Sequence, residues 1–288
     1  ASGKKKEILD PRFNAATADG EPLSMIPRSS DGQLLFLLNN ISKMKQDTPL
    51  GSRIVEVHNG SSLFTGDAGS GESNARRYMI ENDLVEAIIA LPEKMFYNTG
   101  IGTFIWVLSN RKEERRRGKI QLIDATAIKT PLRKNMGEKN CELSPAQRQE
   151  IVRIFMAFEE SEVSRIFPNS EFGYWKVSVQ QPLLDEQGNP ALDKKGRIQP
   201  DKAKADTEII PFRYEGGIEA FMDAEVRPYA PGAFIDPKAT KIGYELSFTK
   251  YFYKPVQLRP MEDIVADLKA LEKETDGMLA EILGGIQG

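Results

Sequence analysis

The chain has 288 residues, enough to bury a sizeable core in one or two domains, and its 40% hydrophobic and 28% charged content is an ordinary globular balance. A net charge of −3 argues against a free-standing nucleic-acid binder, which carries a basic excess to meet phosphates. One cysteine (Cys141) excludes an internal disulfide framework, and with a single histidine (His58) it argues against transition-metal chemistry; no apolar run or signal-peptide pattern marks a membrane span, so a cytoplasmic protein is expected.

Residues 1–31 are rich in Lys, Pro and Ser and read as a loop segment. Asp31 is placed to cap a helix in which Leu34, Leu37, Leu38, Ile41 and Met44 recur at helical spacing. Asp47 to Ser52 is a turn leading into a strand over 53–58. A helix followed by a strand at this spacing is half of a crossover unit and implies a parallel strand upstream of the helix. No such strand precedes residue 31, so the sheet reads as truncated on its N-terminal side.

A polar loop, Gly66 to Gly71, comes next. It lacks the Lys-Ser/Thr pair of a phosphate-binding loop and has Glu72 and Ser73 there instead, so it reads as a flexible loop with Ser70 or Ser73 capping the following helix. That helix has Tyr78 and Met79 on its apolar side. Two β-rich runs, Val85 to Leu91 and Thr103 to Leu108, flank the segment PEKMFYNTGIG. Strand, loop, helix, strand, loop, strand is the order of an open α/β sheet, whose ligands sit beyond the carboxyl ends of its parallel strands. His58-Asn59-Gly60 then falls on the functional edge.

Further along, 119–126 reads as a strand, Ser144-Pro145-Ala146-Gln147 as a capping box, and Ile151, Ile154, Phe155 and Phe158 as one helix face. FGYWKVSVQQPL alternates as a strand, 185–207 is an exposed excursion, and 210–255 suits short strands. Ile264, Leu268, Leu271, Thr275, Met278 and Ile282 step by four and three as a short heptad seam behind Pro260. The expected divisions are 1–31, an α/β part over 32–180, an irregular part over 181–258 and a helical tail over 259–288.

Three groups of residues carry candidate chemistry. His58 is the one histidine available as an acid or base, although a histidine at a strand end commonly serves local hydrogen bonding. Phe96 and Tyr97 either cover the end of the sheet or stack on a base taken out of a nucleic-acid helix. Arg115, Arg116 and Arg117 suit a solvated turn, and their place after the 103–109 strand keeps a DNA-backbone role open.

The strings HNGSSLFTGDAGSGESNARRYMIEND and IIALPEKMFYNTGIGTFIWVLSNRK resemble the modification subunits of type I restriction–modification systems, as do KIQLIDAT, FGYWKVSV and KIGYELSFTKYFY. The resemblance covers most of the chain in patches and is weaker from about 181 to 215. It implies the C-terminal part of a Rossmann-like, S-adenosylmethionine-dependent N6-adenine DNA methyltransferase sheet, followed by a mixed region and a C-terminal helix. It further implies Phe96, with Tyr97 as its neighbour, against the extruded adenine. DNA, the specificity subunit and the restriction subunit are the implied partners, and Leu268, Leu271, Met278 and Ile282 the stripe that docks on helices of the specificity subunit. Packing of the tail on this chain's own sheet remains the alternative.

The family's glycine-containing cofactor motif and its Asn-Pro-Pro-Tyr/Phe tetrad do not occur in this sequence, and Asp10-Pro11-Arg12-Phe13 does not substitute for the tetrad. The fragment is therefore expected to hold no catalytic, cofactor-binding or metal-binding residues and to be inactive alone, S-adenosylmethionine belonging to the intact subunit. The competing reading is a non-catalytic DNA-binding and assembly module. A free-standing α/β domain for a small ligand rests on fold analogy alone.

Overall fold

The computed structural model describes residues 10–17, 19–253 and 259–284, without the side chains of 272 and 276–284. Contacts divide the chain into two units, 1–252 and 253–288.

The N-terminal stretch is more than a loop. Asp10 caps a 3-10 turn, Pro11–Phe13, and a hairpin follows, β1 (Asn14–Ala16) pairing antiparallel with β2 (Pro22–Ser24). Three-residue strands are too short to show alternation, yet Phe13, Leu23 and Met25 are buried in the main core. Helix α1 (Gln33–Ile41) has the expected apolar face, with Leu34, Leu37, Leu38 and Ile41 buried. Its N-cap is Gly32; Asp31 instead accepts from the Gln33 amide at 3.3 Å.

Strand β3 (Arg53–Asn59) leads through the short α2 (Ser61–Phe64) to α3 (Gly71–Glu81), which Ser70 caps. Then come β4 (Val85–Ala90), β5 (Thr103–Ser109), β6 (Lys119–Asp124), β7 (Thr130–Met136), β8 (Lys139–Glu142), α4 (Pro145–Ala157) and β9 (Ser164–Pro168). Five of these strands form a mixed sheet in the order β3-β5-β4-β6-β9, in which β4 and β6 are parallel and the other pairs antiparallel. Because β5 opposes both β3 and β4, those two run in the same direction. The carboxyl ends of β3, β4 and β6 therefore share one edge, and the segment joining β4 to β5 crosses it.

Helices α1 and α3 cover one face, packing Leu34, Leu37, Leu38, Met79 and Ile80 on Val85, Ile88, Trp106, Leu108, Ile120 and Leu122. Each fully buried side chain of this size contributes about 1.5–3 kcal/mol. Helix α4, with its expected capping box, covers only part of the other face, where Ile151 packs on Ala87, Ile89, Val107 and Ile123. Val55 and Val57 lie opposite Val107 and Ile105 on that same face, yet they are 64% and 49% exposed. Beside them a groove of about 450 Å³ runs between the sheet and α4, lined by Ile105, Leu143, Val152 and Met156 among others. Among the described residues no strand pairs with the outer edge of β3.

A second sheet, β11-β10-β12, comprises β10 (Gly173–Gln180), β11 (Asp206–Pro211) and β12 (Phe234–Tyr244), all antiparallel, with α5 (Gly217–Phe221) packed against it. The excursion before β11 consists of two tandem copies of one turn. Asp185 and Asp193 each accept two backbone amides, two and four residues on, and Gly188 and Gly196 supply the positive φ. Helices α6 (Phe248–Phe252) and α7 (Met261–Gly284) complete the chain. The mixed α/β sheet and the C-terminal helix follow the fold class expected from sequence.

Arg76 ties the sheets together. Fully buried on α3, it donates to the carbonyls of Tyr244 (2.6 Å), Ser62 (3.1 Å) and Thr65 (2.9 Å). Burial pulls its pKa down to about 10, so it stays cationic at neutral pH. Gly71 lies equally close to its neighbours: a Cβ there would sit 1.8 Å from the Ile26 carbonyl oxygen, a backbone atom. Gly71→Ala is expected to lower the unfolding free energy by about 1–3 kcal/mol in chemical denaturation. An unchanged midpoint would show that the segment after β2 yields freely.

Candidate functional site

The carboxyl edge of the main sheet gathers the residues singled out in the sequence. His58 and Asn59 end β3, and Asn59 pairs across to Thr103 at the start of β5. Gln33, in the first turn of α1, links them: its Oε1 lies 3.1 Å from His58 Nδ1 and accepts the Asn59 amide at 3.2 Å. Its Nε2 donates to Asn59 Oδ1 and to Asp31, and Ser61 Oγ donates to Asp31 Oδ2 at 2.7 Å. These hydrogen bonds hold the Asp31 carboxyl below its usual range against the opposing effect of burial.

His58 is buried against Trp106, with ring centroids 6.1 Å apart. Burial lowers its pKa, and Glu56, 3.3 Å from Nε2, opposes that shift without a well-directed hydrogen bond. A neutral imidazole fixed in a polar network, facing away from solvent, positions the end of β3. The network engages Asp31, Gln33, Asn59 and Ser61 with one another, so it does not fit a set of donors and acceptors for a nucleoside cofactor.

The loop from β4 to β5 holds Phe96 and Tyr97 on this edge, 37% and 60% exposed. Lys94 and Asn98 on either side take positive φ, +55° and +56°, which turns the chain sharply around the pair. Phe96 has no ring contact or polar partner among the described residues. Farther along, Ile101 and Gly102 wall a depression of about 390 Å³ whose other side is Asn59, Gly60 and Ser61. Phe96 and Tyr97 thus lie at the sheet edge outside the buried core.

The β7–β8 hairpin was not legible in sequence; its one available signal was Gly137 amid short polar runs. It supports the aromatic loop along three successive carbonyls. Cys141 Sγ donates to Glu93 O (3.3 Å), the Asn140 amide to Lys94 O (3.0 Å) and Lys139 Nζ to Met95 O (2.8 Å). Lys139 Nζ also lies 5.7 Å from the Tyr97 ring centroid.

The three arginines after β5 separate. Arg116 is buried, which corrects its assignment to a DNA-facing surface. Its Nε lies 3.4 Å from Glu86 Oε1, itself buried, and its guanidinium sits 4.3 Å from the rings of both Phe155 and Phe158. Half-exposed Arg53 completes the ion cluster at 3.0 Å from Glu86. Arg115 caps the end of α4, donating to the Met156 and Ala157 carbonyls. Only Arg117 of the three is exposed with no side-chain partner among the described residues. The expected tail residues Ile264, Leu268 and Leu271 are exposed on α7, while the side chains of Met278 and Ile282 lie outside the described residues. Among the described residues no His/Cys/Asp/Glu group could hold a metal, and no helix is long and apolar enough to cross a membrane.

An open α/β sheet that presents an aromatic loop and a shallow depression at its carboxyl edge places the domain in the α/β class. Comparison with known proteins narrows the class. The family model described as N-6 DNA Methylase matches residues 3–177, more than half of the chain. The chain belongs to the N-6 DNA methylase family. It is similar to the type I restriction enzyme MjaIX methylase subunit of Methanocaldococcus jannaschii, 32% identical over 112 residues, 39% of this chain and 19% of that protein. The MjaVII methylase subunit of the same organism is 45% identical over 58 residues, 20% of this chain and 10% of its own length. Among solved structures, the type I methyltransferase subunit from Streptococcus thermophilus aligns with a TM-score of 0.45 and 23% identity, covering 56% of this chain and 30% of that one. The matches thus span well under half of these relatives.

Replacing Arg116 by Ala leaves Glu86 buried with only a half-exposed partner, and is expected to cost about 3–5 kcal/mol of stability in denaturant titration. Arg117→Ala should leave stability within about 0.5 kcal/mol. Equal effects would dissolve the distinction drawn between the two.

Proposed function

We propose that this chain forms the adenine-facing second part of an N6-adenine DNA methyltransferase of the type I restriction–modification kind. The observation that supports this most directly is the unfinished sheet. Among the described residues no strand pairs with the outer edge of β3, and exposed Val55 and Val57 continue an apolar groove, as expected where a further strand and its covering layer belong. In this reading S-adenosylmethionine supplies the methyl group. The residues at the carboxyl edge of this chain do not fit a cofactor site, so no transfer step is assigned to them.

What this chain contributes is base holding. Phe96 presents a ring with no partner among the described residues at the sheet edge, Tyr97 stands beside it, and the β7–β8 hairpin holds their loop. A base lifted from a duplex loses its stacking neighbours, and an aromatic ring restores about 1–3 kcal/mol of that. The test is methyl transfer to adenine N6 by an assembly of this chain with the preceding part of a type I methylase subunit and a specificity subunit. Transfer is expected with both parts together and not with this chain alone. Phe96→Ala is expected to reduce transfer roughly tenfold or more. Wild-type turnover in the folded variant would show the ring to be structural.

The tail supports a docking role in the same assembly. Leu268 and Leu271 are 60% and 62% exposed on α7, and Glu262 and Asp263 lie in its first turn, where negative charge is favoured. A single narrow apolar stripe suits a helical partner, here the specificity subunit. Leu268→Asp with Leu271→Asp is expected to abolish co-purification with that subunit while the chain stays soluble. Normal assembly of the double variant would remove the tail from the interface.

A further inference from the structure

The β7–β8 hairpin projects beside the aromatic loop and carries charge that the fold does not use. Residues 93–94 and 129–142 contain Lys94, Lys129, Arg133, Lys134 and Lys139 against Glu93, Glu138 and Glu142, a local surplus on a chain of net charge −3. Lys139 is engaged with the Met95 carbonyl and the Tyr97 ring. Lys94, Lys129, Arg133 and Lys134 are exposed, and among the described residues their side chains make no ion pair or hydrogen bond. Apolar surface is exposed in the same place: Met136 is 51% exposed and takes the Tyr97 hydroxyl at 4.0 Å to its Sδ. The hairpin tip also approaches the loop closely, since a Cβ on Gly137 would lie 3.1 Å from Asn98 Oδ1.

We propose that the hairpin is a nucleic-acid arm, setting Arg133 and Lys134 against the sugar–phosphate backbone next to the base that Phe96 and Tyr97 receive. The inference rests on the base-holding reading above and adds a contact to it. Exposed rings beside unpaired cations form the combination that single-stranded and extruded nucleotides bind: the rings take the base and the cations follow the backbone. A solvated, purely structural hairpin has no need of two adjacent cations, Arg133 and Lys134, unpaired among the described residues, on an arm whose Met136 meets an exposed tyrosine. The hydrogen bonds from residues 139–141 to the carbonyls of 93–95 make arm and aromatic loop one unit, so a backbone contact at the tip fixes the position of the rings. Phosphate contacts of this kind position the nucleic acid and carry no sequence information.

The test is duplex binding by the assembled methyltransferase, measured by fluorescence anisotropy across a salt series. It compares Arg133→Gln with Lys134→Gln against a control that removes the same charge elsewhere, Lys194→Gln with Lys195→Gln, both exposed in the excursion before β11. Each lost phosphate contact lowers the slope of log affinity on log salt by about one. The hairpin pair should therefore weaken binding and reduce the slope by about two, uniformly across DNA sequences, while the control pair changes neither. Arg133→Lys with Lys134→Arg should restore the slope. If the hairpin variant binds as the control does, with its melting temperature unchanged, the arm assignment is overturned and the base-holding reading stands. If the unsubstituted assembly binds no duplex, both fall.

Discussion

The antiparallel insertion of β5 is the constraint on which the arrangement depends. β3 and β4 run in the same direction, and β5 lies between them in the opposite one, paired residue by residue from Asn59–Thr103 to Arg53–Ser109. A chain leaving β4 must therefore turn at the carboxyl edge and enter β5 there. This places the Phe96–Tyr97 loop beside the end of β3 instead of returning it over a face of the sheet. A parallel β5 would need a crossover and would carry the aromatic pair away from Asn59 and Ser61.

Buried charge adds to the joining work of the main hydrophobic core, which itself runs from Trp106 and Leu108 to Phe172, Tyr244 and Leu246. Arg76 meets no carboxylate directly; three backbone carbonyls from two separate segments saturate most of its donors. Arg116 is held by Glu86, Gln121 and two phenyl rings, which fixes the C-terminal end of α4 to the sheet. Such groups are costly to bury and more costly to leave unpaired, so each confines its surroundings to one arrangement.

The uncovered face supplies the complementary argument. Contiguous exposed apolar surface marks an interaction site, and Val55, Val152 and Met156 line one apolar groove, with Val57 exposed next along β3. The proposed completion of the sheet by a further part of a methyltransferase rests on the exposed face together with the edge of β3, with which no strand pairs among the described residues. At the carboxyl edge Phe96 and Tyr97 are exposed, while the polar side chains of Asp31, Gln33, Asn59 and Ser61 satisfy one another.

The periodicity of the chain by itself determined the helices with wide apolar faces, the four longer strands of the main sheet, the Ser144 capping box and the position of the aromatic loop between β4 and β5. Each of these is a local pattern in which side-chain spacing and backbone period coincide. The N-terminal hairpin and β7–β8 escaped because short polar strands carry no alternation, and β7–β8 in particular owes its place to contacts with a loop some forty residues earlier. Arg115, Arg116 and Arg117 show the same limit most sharply. Three adjacent arginines look alike in sequence, but one is buried beside Glu86, one caps α4 and one has no side-chain partner among the described residues, because α4 returns to meet the first two from about forty residues away. Charge is written locally, whereas burial depends on which distant segment comes back to cover it, and only the tertiary structure decides that.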